Sequence, residues 1–91
     1  MTAPRILVVD DEPNIRDLLV TSLRFAGYQV RAVANGAQTI SAVLEEEPDL
    51  IILDVMLPDM NGFSVTKRLR GAGHTAPLLF LTAKDDTEDK I

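Results

Sequence analysis

The chain has no cysteine, no tryptophan and a single histidine, and its aromatics amount to 4%. Without cysteine there is no disulfide and no thiolate zinc site. His74 follows the Gly71–Gly73 stretch in sequence and reads as a surface loop residue rather than a phosphodonor. Basic residues are also short: nine lysines and arginines face fourteen acids, for a net charge of −5. That balance disfavours nucleic acid and anionic membrane as direct partners, since both need basic surface. No apolar run approaches the roughly 18 residues of a membrane span. The first strand-like run opens at Arg5, which leaves no room for the apolar region of a signal peptide. A cytoplasmic location is expected. Repeats, low-complexity tracts and linkers are absent.

What the chain does have is ordinary globular composition, 46% hydrophobic and 25% charged, which argues against disorder. Its 91 residues allow one domain, residues 1–91. A chain this short buries only about 60–65% of its unfolded surface, so modest stability is expected. Short apolar runs at Ile6–Val9, within a first strand Arg5–Val9, at Leu50–Leu53 and at Leu78–Leu81 read as buried parallel strands, and Tyr28–Val33 reads as a further strand. Helical patterns separate them. The first follows Asp11, Glu12 and Pro13, with proline and acids suited to a first turn. It shows Ile15, Leu18, Leu19, Ser22, Leu23 and Ala26 on one face, and Gly27 stands where a left-handed cap is expected. Asn35 can cap a second helix, with Ala37, Ile40, Ser41 and Leu44 on its expected inner face. A loop from Val55 to Asn61 leads to a third helix, from about Phe63 to Arg70. The acidic run Asp85–Asp89 looks like the opening of a fourth. Strands alternating with helices imply an α/β fold, a doubly wound parallel sheet with right-handed crossovers.

Three of the strand-like runs end in polar residues. Ile6–Val9 runs into Asp10 and Asp11, Leu50–Leu53 into Asp54, and Leu78–Leu81 into Thr82. Strand C-termini of an open parallel sheet share one edge, and ligands bind in the crevice there. Three carboxylates and a hydroxyl are therefore expected to meet. Clustered carboxylates repel each other unless a cation joins them, and a buried one needs a partner. All candidate ligands are oxygens, which points to a hard cation, Mg²⁺ before Mn²⁺ or Ca²⁺. Mg²⁺ commonly uses one or two carboxylates plus phosphate oxygens, so a third acid is available as a nucleophile. Asp54 could then form an aspartyl phosphate. The carbonyl of Met56 is a further candidate ligand. Lys84 reads as a solvated loop lysine, and Glu45–Glu47 as a solvated helix end.

The segments ILVVDDEP (Ile6–Pro13), LIILDVMLPDMNG (Leu50–Gly62) and LTAKD (Leu81–Asp85) together resemble a receiver domain, the phosphoacceptor module of bacterial two-component response regulators. The resemblance implies a flavodoxin-like sheet with strand order 2-1-3-4. It implies that Asp54 is phosphorylated by a sensor histidine kinase. Asp10 and Asp11 would hold Mg²⁺ together with Asp54 and the Met56 carbonyl, Asp11 being the favoured direct ligand of the pair. Thr82 would be the switch hydroxyl that turns toward the phosphoryl group. Any activity would be limited to self-phosphorylation and self-dephosphorylation. The wording is most similar to receivers joined to winged-helix DNA-binding domains, so the parent protein is expected to regulate transcription and to touch DNA only through another domain.

The family continues through a fourth helix, a fifth strand ending in a lysine, and a fifth helix, whereas this sequence stops at Ile91. Lys84 precedes that region and does not replace the lysine. The expectation is therefore a truncated receiver, lacking most of helix four, strand five and helix five. The alternative is a phosphorylation-incompetent interaction module. Its Leu78–Leu81 edge is expected to pair with a second copy or to swap elements. A haloacid-dehalogenase-type phosphatase is disfavoured because Met56 stands where its second aspartate is needed. A dinucleotide-binding domain is disfavoured because no Gly-rich loop follows the first strand.

Overall fold

A computed structural model of the chain describes residues 3–81. The order of elements is β1 (Arg5–Val9), α1 (Pro13–Phe25), β2 (Gln29–Val33), α2 (Gly36–Glu45), β3 (Leu50–Asp54), α3 (Gly62–Gly71) and β4 (Leu78–Leu81). All three strand pairings are parallel, and the sheet order is β2-β1-β3-β4, as expected. Thr82, Lys84 and the acidic run Asp85–Asp89 lie outside the described residues.

The sheet is apolar on both faces, and alternation along each strand divides its side chains between two clusters. Leu7 and Val9 of β1 join Ile51 and Leu53 of β3 beneath α2 and α3, where Ala42, Val43, Val65 and Leu69 complete the larger core. Ile6, Val8 and Ile52 face the other way, with Leu19 and Leu23 of α1 packed against them. Burying β1 and β3 on both faces explains why they read as unbroken apolar runs.

Local signals set the helix limits. Pro13 occupies the first turn of α1, where its missing N–H costs nothing. Gly27 takes φ 103° just beyond the α1 C-cap, a conformation that favours glycine. Asn35 and Asn61 cap α2 and α3, accepting from the backbone N–H of Gln38 and Phe63.

Two expected faces need correction. In α2 the buried residues are Gly36, Thr39, Ala42 and Val43; Ser41 is exposed and Leu44 is 66% exposed. The reason is that Thr39 can be buried at little cost, its hydroxyl donating to the Asn35 carbonyl at 2.8 Å. The small Gly36 and Ala42 allow close approach, and Ile40 packs half-buried against the larger core, as expected. In α1 no residue is fully buried. Ile15, Leu19 and Leu23 are half-buried while Leu18, Ser22 and Ala26 are exposed. The helix packs chiefly over β1 and β2, which leaves the Leu18 side of its apolar surface unmatched among the described residues.

Candidate functional site

β1 and β3 are neighbours, with Val9 opposite Leu53. Their next residues, Asp10 and Asp54, therefore emerge side by side at the C-terminal edge of the sheet. Among the described residues the buried polar or charged side chains are Asp10, Thr39 and Asp54, and both aspartates are only 1% exposed. Thr39 is accounted for by its own helix. The two aspartates belong to one place, where Asp11, on the exposed rim, joins them. One carboxylate oxygen from each of Asp10, Asp11 and Asp54 lies within 4.8 Å of the others.

The backbone fixes these side chains. The Asp10 N–H extends the sheet by donating to Val33 at 3.2 Å. Its carboxylate accepts the Glu12 N–H at 2.9 Å, and its carbonyl accepts Nη1 of Arg16 at 2.9 Å. Asp54 closes β3, and its Oδ1 accepts the Met56 N–H at 3.1 Å. The loop over Asp54 is drawn in by the Gly62 N–H, which donates to Val55 at 2.7 Å, and by a bridge between Met56 and Asn61. Unit charges this close repel by about 1–4 kcal/mol per pair, depending on how far water screens them. A hard cation on the three oxygens removes that repulsion, and an all-oxygen donor set suits Mg²⁺ or Mn²⁺. The residues present therefore fit such an ion.

The structure thus brings Asp10, Asp11 and Asp54 together as the sequence suggested, and sets Met56 in the loop beside them. Thr82 is not among the described residues. Sequence reading missed four residues that shape the site. Arg16 ties α1 to the Asp10 backbone. Gly62 sits where an added Cβ would lie 2.7 Å from the Asp54 carbonyl oxygen. Asp59 and Gly36 join the loop after β3 to the start of α2. An arginine one turn into a helix and glycines beside caps were the available signals, and none names its distant partner.

Residues 6–91 match the family model described as the response regulator receiver domain. The DNA-binding response regulator MtrA of Mycolicibacterium smegmatis is 46% identical over 87 residues, which is 96% of this chain and 38% of the relative. RpaA of Synechocystis sp., described as a DNA-binding dual master transcriptional regulator, is 46% identical over 90 residues, 97% of this chain and 37% of its own length. The chain thus spans little more than a third of these relatives. Among solved structures, the chemotaxis response regulator CheY4 of Vibrio cholerae superposes with a TM-score of 0.87 at 34% identity, covering 98% of this chain and 76% of that one. Sheet order, acidic edge and sequence match all lead to the same assignment: this chain belongs to the response regulator receiver domain family.

Proposed function

We propose that Asp54 accepts a phosphoryl group from the phosphohistidine of a sensor histidine kinase, and that the chain acts as the switch of a two-component system. The observation that carries this reading is the pairing of two almost fully buried carboxylates, Asp10 and Asp54, with Asp11 at the rim. Burying like charges side by side is costly unless they are paired or hold a cation, and such arrangements cluster at functional sites. In the transfer, a carboxylate oxygen of Asp54 forms a bond to phosphorus as the phosphorus–nitrogen bond of the donor histidine breaks. The released imidazole takes its proton from water. The Met56 N–H fixes the rotation of the Asp54 carboxylate, and Arg16 steadies the backbone that carries Asp10. Asp10, Asp11, Asp54 and the Met56 carbonyl would hold Mg²⁺, with Mn²⁺ as a substitute. When bound, such an ion offsets the negative charge of the transferred group. Thr82 is assigned the hydrogen bond to a phosphoryl oxygen on the strength of the sequence alone.

The chain on this reading is a phosphoacceptor with at most self-phosphorylation and self-dephosphorylation activity. By likeness to the DNA-binding relatives, its parent is a cytoplasmic transcription regulator that reaches DNA through another domain. Among the described residues no helix is long and apolar enough to cross a membrane. A second role, as a contact surface for another copy of the chain, is favoured by β4. It is one of the two outer strands among the described residues, with Leu79 55% and Phe80 36% exposed. Light scattering showing a strict monomer at high micromolar concentration would remove that role.

The test of phosphoacceptance is intact mass after incubation with acetyl phosphate and Mg²⁺. A phosphoryl adduct is expected in the wild type and none in Asp54→Asn. Mg²⁺ binding without an adduct would leave the acidic site standing and the contact role as the function. Neither binding nor adduct would overturn the reading of the site.

A further inference from the structure

The loop between β3 and α3 is held at both ends. Its base is closed by the Met56–Asn61 bridge and by the Gly62 N–H on Val55. Its tip reaches 22–23 residues back along the chain, where the Asp59 carboxylate accepts the N–H of Gly36 at 2.8 Å and of Ala37 at 2.9 Å. These are the first two amides of α2. The next, Gln38, is already capped by Asn35, and the Thr39 N–H bonds the Asn35 carbonyl. Helix α2 therefore has a local cap of its own, and Asp59 adds a bridge between distant segments. Met60 seals it: a Cβ on Gly36 would lie 2.4 Å from Met60 Cγ and 2.8 Å from its Sδ.

The two segments so joined each hold one of the buried acids. The loop supplies the Met56 N–H that orients Asp54. The β2–α2 connection begins at Val33, whose carbonyl anchors the Asp10 backbone. A bridge from Asp59 to Gly36 thus ties the support of Asp54 to the support of Asp10. We propose that Asp59 is a positioning residue for the acidic site, setting the relative placement of Asp10 and Asp54 and through it the affinity for a divalent cation. The inference rests on the reading of that site as a Mg²⁺ and phosphoryl site. The two amides also hold the Asp59 carboxyl below the usual carboxylate range, so the bridge is intact at neutral pH.

The probe is Mg²⁺ alone, titrated into ¹⁵N-labelled chain and followed by amide shifts. Loss of a direct partner of a ligand typically costs 10–100-fold in metal affinity; Asp59 acts one step further out, so Asp59→Ala should weaken Mg²⁺ by roughly 3- to 10-fold. Gly36→Ala keeps every charge but forces Met60 aside, and should weaken Mg²⁺ in the same range. The double variant should be no worse than the poorer single one, because both act through one bridge. Asp59→Asn, which retains one acceptor oxygen, should fall between wild type and Asp59→Ala and serves as the titration variant should Asp59→Ala unfold. A fall in melting temperature with unchanged Mg²⁺ affinity would make the bridge merely structural and overturn the proposal. Weakening by Asp59→Ala with none by Gly36→Ala would reduce Asp59 to a remote charge, which also overturns it. Wild type that binds no Mg²⁺ would instead refute the reading of the site itself.

Discussion

Gly62→Ala adds one methyl to a place that the backbone already fills. The new carbon would lie 2.7 Å from the Asp54 carbonyl oxygen, 3.0 Å from Val55 Cα and 3.4 Å from the Asp54 carbonyl carbon. Gly62 is not among the glycines with positive φ, so backbone strain is not the cause; the effect is steric. The obstructing atoms are main chain at the end of a buried strand, which cannot swing away as a side chain could. Either α3 retreats or the Asp54 peptide tilts. Overpacking of this kind costs about 1–3 kcal/mol. Alanine offsets part of that through lower unfolded-chain entropy, by about 0.4–1 kcal/mol. The net expectation is a loss of about 0–2.6 kcal/mol, centred on about 1.3, or roughly 5–10 °C in melting temperature at that centre for a domain of this size. Urea unfolding followed by far-UV circular dichroism measures it, and an unchanged m-value would confirm that stability alone moved. A variant more stable than wild type would refute the close approach, because propensity alone predicts stabilisation. Mg²⁺ affinity should fall in parallel, since the peptide that tilts is the one that carries the Asp54 carboxylate.

Other expectations follow from the same geometry. Asp10→Asn removes one of the three clustered carboxylate charges and should abolish most of the stabilisation by added Mg²⁺; an Mg²⁺-dependent rise in melting temperature as large as that of wild type would contradict its part in the site. Leu53→Ala, at a side chain with no exposure between β1, α3 and the rest of the larger core, should cost about 2–5 kcal/mol and lose the cooperative urea transition. Asp59 contributes a pH dependence whose sign is fixed. Its carboxyl is lowered below 3.8 in the fold by the Gly36 and Ala37 amides, so its stabilisation is full above the unfolded value and is lost as pH falls through the folded one. The stability gap between wild type and Asp59→Asn should therefore be present near neutral pH and shrink as pH falls below the usual carboxylate range; a gap that widened on acidification would reverse the assignment.

The fold was readable because its signals are local. Apolar runs of four or five residues marked β1, β3 and β4, and Pro13, Gly27, Asn35 and Asn61 marked helix ends by chemistry that acts within a turn. Strand order followed from alternation of strand and helix and from the family resemblance. The inner face of α2 was misread for a physical reason. Hydrophobicity ranks Leu44 above Gly36 and Thr39, but packing against α3 and Met60 rewards smallness and a hydroxyl that bonds its own helix.

The acids of the site were readable for a similar cause: position at a strand end places a residue without knowledge of its partners. Asp10 and Asp54 each follow an apolar run, and adjacency of β1 and β3 does the rest. What surrounds them depends on chain segments far apart in sequence. Nothing near Asp59 announces that its oxygens cap a helix that begins 23 residues earlier, since an aspartate after a proline in a loop is commonplace. Gly36 and Gly62 likewise look like turn residues, and only the three-dimensional approach of Met60 and of the Asp54 peptide shows that each is small because something else needs the space. The clustered acids can therefore be found from one-dimensional pattern, whereas the parts that hold them at their separation are encoded in pairs. Variants at those pairs, more than at the acids, distinguish a site that is merely present from one that is held ready for a cation.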